Sequence, residues 1–433
     1  MGTSVRNRLV SWGGPGTRVT RLELFYDLVF VFAFLNVTTL TAADLNARHL
    51  VEAMFVLALL WWCWTGFAAV GNILRADQGV MPLVGFSIMA AIFVLALTTA
   101  VAFRDEPGGL YGPWVFSLAY LATWVVKVVA LWSTAGWSRA PRARSLLLTA
   151  PTMGGALVIV IAATVPQRVV PDAAVENVRI GLWTVALAME YGVGLLLPRT
   201  GWRLRSVGHW AERHALIVLV ALGESVIALG IGTTSRAGRP IGIPVIAAAV
   251  FGIAIIAALW WLYFDVLAFA VEQVLHGVRG RARIPMARDV YTYLHLPLIV
   301  GIILFALGLK ELLAGVIKDP SSAARDELNG LVLLVLYGGV ILYLLALVAI
   351  QLRVFRRLDR VLTTAAVLLV LLIPAAYRLP VLTTLGLLTA AVVVVVLVQL
   401  RATAQVRRRV RETAMDEQTA LEAEANSWRR HHF

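Results

Sequence analysis

Long apolar runs, interrupted by short clusters of Arg, Asp, Glu, Gly and Pro, set the rhythm of this chain. They fall at approximately 22–42, 50–71, 80–103, 113–133, 145–165, 177–197, 212–233, 243–271, 289–310, 328–350, 361–377 and 380–399. Most are near the roughly 20 residues with which an α-helix crosses about 30 Å of hydrocarbon, and a helix closes its own backbone hydrogen bonds there. A membrane β-barrel would instead show short alternating segments, which the chain lacks. The pattern predicts an all-α fold, a polytopic transmembrane helical bundle of about twelve spans. The final two are separated only by the turn "YRLP" at Tyr377–Pro380, so ten or eleven also fit.

The runs also repeat. "WWCWTGF" at 61–67 returns as "WWLYFDV" at 260–266, and "MPLVGFSIMAAIFVLAL" from Met81 is echoed by "HLPLIVGIILFALGL" from His295. The same order in both halves predicts a six-helix unit duplicated in parallel orientation, as in some transporter folds. The expected division is a tail at 1–20, membrane halves at 21–200 and 201–400, and a charged tail at 401–433.

Charge then orients the bundle. Basic clusters lie in alternate connections, "SRAPRAR" at 138–144, "RGRARIP" at 279–285 and "RVFRRLDR" at 353–360, whereas other connections carry Asp105, Glu106, Asp326 and Glu327. Basic loops stay in the cytoplasm, so both termini are expected there, with the protein in a bacterial cytoplasmic (inner) membrane. The first 20 residues are polar and Gly-rich and resemble a cytoplasmic tail rather than a cleaved signal.

Composition narrows the partners. Of 433 residues, 60% are hydrophobic and 15% charged, at a mean hydropathy of +0.82. The net charge of +13 resides in loops and tails, where it serves orientation, so the bilayer rather than nucleic acid is the expected partner. A single cysteine, Cys63, excludes an intrachain disulfide. There is no HExxH, P-loop or GxSxG motif, so neither an enzyme nor a cofactor is expected. "HWAERH" at 209–214 spreads its side chains around a helix; Glu212 and Arg213 are expected to anchor that helix at the membrane surface. The trios Trp61, Trp62, Trp64 and Trp260, Trp261, Tyr263 fit interfacial aromatic belts.

Ionisable residues within the apolar runs are the candidates for chemistry, because a charge at a helix centre costs about 2.5–3.5 kcal/mol and turns toward a partner or a wet cavity. They are Glu23 and Asp27 on one face of the first run, Lys127, Glu190, Glu224 near the midplane, Asp265 and His295. Together they suggest a path for an ion, a proton or a small-molecule substrate. They would equally serve as static pairs, such as Lys127 with Glu190 or Glu224.

With "RLELFYDLVFVFAF" at 21–34, "ERHALIVLVALGESVIALG" at 212–230 and "WWLYFD" at 260–265, the chain resembles the bacterial low temperature requirement protein A family. The motif positions that this resemblance carries over are Glu23, Phe25, Asp27, Glu212, Gly223, Glu224, Ser225 and Asp265. The chain departs from the family pattern at Tyr26, often Phe, and at His214 in "ERH", often "ERF". The resemblance implies a multi-pass inner-membrane protein named for a growth phenotype in the cold, without an assigned activity. A secondary transporter or ion-translocating protein is the leading expectation. A non-transporting sensor or scaffold is the alternative, and a membrane-embedded enzyme the third.

Overall fold

The computed structural model describes residues 18–134, 139–196, 204–234, 242–320 and 326–432. Nearly all of them are helical. The first half comprises α1 (Arg21–Ala43), α2 (Ala47–Ile73), α3 (Met81–Leu97), α4 (Gly112–Thr134), α5 (Arg139–Thr164) and α6 (Asp172–Leu196). The second comprises α7 (Val207–Thr234), α8 (Ile243–Phe264), a short α9 (Leu267–Gly277), α10 (His295–Lys318), α11 (Gly330–Phe355), α12 (Arg360–Ala376) and α13 (Val381–Ala402). A polar helix, α14 (Ala404–His432), follows. Residues 1–17 of the expected N-terminal tail lie outside the described residues.

Local chemistry fixes the ends of these helices. Thr20 and Glu23 form a reciprocal capping box at the start of α1, Asn46, Asn329 and Asp359 cap α2, α11 and α12, and a proline in the first turn opens α3 and α8. Each apolar run falls on a helix. Among the described residues, eight helices are long and apolar enough to cross a membrane, and those at Met81–Leu97, Thr149–Thr164 and Arg360–Ala376 are shorter. The helix α6 carries Asp172, Glu176 and Arg179 in its first half, which lowers its hydropathy.

Two segments depart from the expected helices. The run at 243–271 is not one continuous helix: Val266, at φ −135° and ψ −42°, separates α8 from α9. The break falls beside Asp265, which is held by Arg407 of α14 at 2.7 Å. Ahead of α10, Arg288–Leu294 forms a π-helical turn, a wide turn with one extra residue that often marks a functional position.

Neighbour relations define two closed rings. In the first half, α1 packs on α2, α2 on α6, α6 on α5, α5 on α4, α4 on α3 and α3 on α1. In the second, α7 packs on α8, α8 on α13, α13 on α12, α12 on α11, α11 on α10 and α10 on α7. The rings meet chiefly where α1 lies against α7 and α10, with α2 also touching both. The second ring is tightest between α10 and α11, where glycines let two backbones touch. A Cβ on Gly339 would sit 2.5 Å from Phe305 N and 2.7 Å from Gly301 O. Such close approach is how small residues drive helix association in lipid.

Candidate functional site

The junction of α1 and α7 carries a seam of buried polar pairs. Glu23 and Asp27 lie one turn apart on α1, and His209 and Arg213 lie one turn apart on α7. Glu23 Oε1 meets His209 Nε2 at 2.9 Å, and Arg213 Nη1 donates to Asp27 Oδ2 at 2.7 Å. Deeper in the bundle, Thr38 donates to Glu224 Oε1 at 2.5 Å. Each of the three pairs joins residues 186 positions apart. A constant offset requires that α1 and α7 run parallel and in register, since antiparallel helices would give a constant sum instead.

At the outer end of the seam, Glu23 is almost fully enclosed. Its second oxygen accepts from Thr20 N and Thr20 Oγ1, both at 2.9 Å, and Gly71 of α2 leaves the space for it, since a Cβ there would collide with Glu23 Oε1. Asn72 supports the same corner by donating to Ser206 O at 2.6 Å and accepting from Arg205 N at 2.8 Å. One turn further in, Asp27 is satisfied on both oxygens, because Trp64 Nε1 donates to Oδ1 at 2.9 Å. Arg213 is wholly buried and also donates to Glu23 O at 2.8 Å. A buried ion pair with additional hydrogen bonds offsets much of its desolvation cost, and removing one partner strands the other.

Aromatic and imidazole rings back this ion pair. His214 lies between Trp64, Trp210, Tyr291 and His295, at ring-centroid distances of 4.8, 4.6, 4.9 and 5.4 Å. The orientation of His295 follows from its partners. A carbonyl only accepts, so the contact with Val290 O at 2.8 Å puts a proton on Nδ1, which in a neutral ring leaves Nε2 to accept from Tyr263 Oη at 2.9 Å. Val290 lies in the π-turn, as does Thr292, whose carbonyl accepts from Trp61 Nε1 at 2.8 Å.

Beyond Asp27 the seam becomes dry. Eleven residues of helix, about 16 Å at 1.5 Å per residue, separate Asp27 from Thr38. Phe30, Ala33 and Phe34 of α1 and Ile217, Val218 and Ala221 of α7 are buried in that interval. Glu224 follows, enclosed and hydrogen-bonded through one oxygen only. Lys310 of α10 donates to the neighbouring Thr39 at 2.5 Å, and buried Ser225 is adjacent to Glu224 in the chain. In this conformation no continuous polar path joins Asp27 to Glu224 along the described seam.

A second polar cluster occupies the interior of the first ring. Lys127 of α4 donates to Cys63 O at 2.7 Å and lies 4.1 Å from the centroid of Trp124, while Tyr120 donates to Glu190 Oε1 of α6 at 2.5 Å. Lys127 and Glu190 make no direct ion pair within 4 Å among the described residues; each is held by a neutral group. Gly66 and Gly155 make room for them, since a Cβ would lie 3.1 Å from Lys127 Nζ and 2.8 Å from Glu190 Oε1 respectively.

The remaining candidates lie apart from both clusters. Asp265 pairs with Arg407 at the end of the bundle from which α14 emerges. Glu212 points outward and accepts from Val19 N at 3.2 Å, Phe25 is exposed on the outer face of α1 against Phe86, and Gly223 is half-buried. Arg213 corrects the expectation of a surface anchor: α7 begins at Val207, so Arg213 lies inside the bundle rather than at its surface. Trp61 and Trp64 are likewise buried rather than interfacial. Thr38 was not singled out from sequence and Lys310 was given no role there, and Arg213, His209 and Trp64 were noted there only as a surface anchor, a member of a dispersed His/Glu stretch and a belt tryptophan, not as partners of the α1 acids. The available signal was the matching one-turn spacing of Glu23 and Asp27 with His209 and Arg213, which has meaning only once the two helices are known to touch. No group of three or more His, Cys, Asp or Glu placed to hold a metal occurs among the described residues.

Comparison with known proteins bears on most of the chain. The profile of the family described as bacterial low temperature requirement A protein (LtrA) matches residues 18–398. The uncharacterized protein RA0937 of Rhizobium meliloti (strain 1021) is 29% identical over 301 residues, covering 67% of this chain and 69% of that protein. No solved structure matches.

Proposed function

The chain belongs to the bacterial low temperature requirement A (LtrA) family, and on that premise we propose that it is a secondary transporter or ion-translocating protein rather than an enzyme. Glu224 is its exchangeable carboxylate. The polar pairs Glu23–His209 and Asp27–Arg213 form a latch that closes one end of the α1–α7 seam. The observation that carries this reading is the contrast between two carboxylates on one seam. Asp27 is satisfied on both oxygens, whereas Glu224, beyond a dry interval, engages the protein through one oxygen only and has Lys310 nearby. A carboxylate with a spare oxygen can take a proton or coordinate a cation; one spent on an arginine and an indole holds helices together. Lys127 and Glu190 would contribute a second polar site inside the first ring.

The same reading takes the molecule as twelve spans in two six-helix halves, 21–200 and 201–400, in the inner membrane with both tails cytoplasmic. In its support, the two rings have the same order of neighbours, and α1 and α7 start at Arg21 and Val207 and pair in register. A pseudo-two-fold axis along the membrane normal produces this arrangement in parallel-repeat transporters, where sites lie between the halves.

The test is flux in liposomes under imposed proton, sodium or potassium gradients. Flux that is present in the wild type and abolished by Glu224→Gln is the expected result. Equal flux in a folded Glu224→Gln protein would remove the carboxylate from the path. A second reading, a sensor or scaffold, is favoured by the complete pairing of Asp27. It requires that no gradient drives flux and that Glu224→Gln alters stability alone.

A further inference from the structure

A cavity of about 500 Å³ opens at the end of the bundle where α11, α12 and α13 meet α14, lined by no residue of α1 or α7. Its volume is in the range of small-molecule sites. Its wall is apolar, built from Leu262, Leu267, Phe355, Leu362 and Leu400. Trp261 Nε1 on this wall is buried without a protein acceptor, so a hydrogen-bond donor faces an otherwise oily surface.

The charges at the mouth do not cancel. Asp265 is spent on Arg407 at 2.7 Å, an ion pair that draws α14 over the cavity. Asp359 is spent as well, since Oδ1 accepts from Val361 N and Leu362 N at the start of α12, and Oδ2 accepts from Gln399 at 2.6 Å. Arg357 also lines the cavity, is exposed, and has no carboxylate partner among the described residues. Exposed Arg356 neighbours Arg357 in the chain, and exposed Arg408 and Arg409 follow Arg407. The site therefore joins an oily wall to surplus positive charge. Its position is where α13 ends and a strongly polar helix begins, the level at which lipid headgroups meet water.

We propose that this cavity binds one anionic phospholipid, with its phosphate at Arg357 and its apolar portion against the wall formed by α8, α9, α11 and α13. A soluble anion would gain nothing from the wall. A lipid without phosphate would leave the surplus guanidinium unmatched, and a zwitterionic one, though it offers a phosphate, would bring an ammonium group against the same positive charge. Because α14 forms one side of the cavity through Arg407, occupancy also fixes how the tail helix leaves the bundle.

Native mass spectrometry of delipidated full-length protein in detergent tests this, by titration with phosphatidylglycerol, phosphatidylethanolamine and glycerophosphoglycerol, the last being the anionic headgroup without acyl chains. The first phosphatidylglycerol is expected to bind more tightly than phosphatidylethanolamine, and the chainless headgroup to bind negligibly. Arg357→Gln, on the exposed rim, should weaken the first phosphatidylglycerol about tenfold, as expected for one charge-assisted hydrogen bond. Ala270→Trp, which fills the cavity, should abolish that first event. Equal affinity for both lipids, headgroup binding as tight as lipid binding, or an unchanged first event in Arg357→Gln would each overturn the assignment. Should Ala270→Trp fail to fold, Arg357→Gln decides alone.

Discussion

Arg213 and Asp27 show how much depends on a single buried contact. The guanidinium has Asp27 and a backbone carbonyl for company, and the carboxylate has Arg213 and Trp64. Arg213→Ala should therefore strand Asp27 and cost about 3–5 kcal/mol, the range for breaking a buried pair, read as a large fall in the thermal unfolding midpoint in mild detergent. The double variant Asp27→Leu/Arg213→Met, which removes both charges, should unfold closer to wild type than Arg213→Ala does. Lys127 and Glu190 differ because each is held by a neutral partner, so a double-mutant cycle there should give a smaller coupling energy than the cycle at Asp27 and Arg213. Equal coupling at the two sites would mean that the first ring contains a true ion pair. The acids at membrane depth were legible from sequence, because a carboxylate in an apolar run is conspicuous. Their partners were not: Trp64 looks like any membrane tryptophan, and Thr38 like any helical threonine.

Helix pairs carry the next level of information. Two parallel helices in register turn an i, i+4 acid pair and an i, i+4 basic pair into a zipper, and no property of either segment alone reveals it. Gly339 makes the same point in apolar terms, because its lack of a side chain lets α11 rest on the backbone of α10 at Phe305 and Gly301. Gly339→Ala should cost about 1–3 kcal/mol, the usual penalty for overpacking a filled interface. The check is the unfolding midpoint against a control at Gly181, where an added Cβ meets nothing within 4 Å. If both variants unfold together, the α10–α11 contact is looser than described. The positions of the helices were legible because length and hydropathy set them. The break at Val266 and the π-turn were not, since each depends on tertiary partners, Arg407 in one case and Trp61 in the other.

At the scale of the molecule, the two rings divide their labour. The first holds Lys127 and Glu190 in its interior, whereas the second, among the described residues, keeps its buried charged and histidine side chains on α7 and α10, the helices facing the first ring, and closes elsewhere around glycine contacts and apolar side chains. On the proposed orientation, with both tails cytoplasmic, a green fluorescent protein fused after Phe433 should fluoresce in cells, and alkaline phosphatase fused at the same place should be inactive. The reverse pattern would invert the membrane orientation. The proposed repeat had only two short echoes in the sequence, one of them around tryptophans, and the matching order of packing within each half is the wider support for that proposal. Side-chain identity drifts freely on lipid-facing surfaces, whereas the order in which helices touch is constrained by connection length and packing.

The π-turn at Arg288–Leu294 leaves a final consequence. A wide turn is a place in a spanning helix where a residue of slack can shift along the backbone without unwinding the remainder. Two carbonyls of this turn are occupied from outside the ladder, Thr292 O by Trp61 and Val290 O by His295. The slack is thus pinned at two points, by one side chain from each ring. Passage of the slack along the backbone must release both pins, and sliding of the whole helix must release the indole, so a screw motion of the second ring would be felt at once by the first.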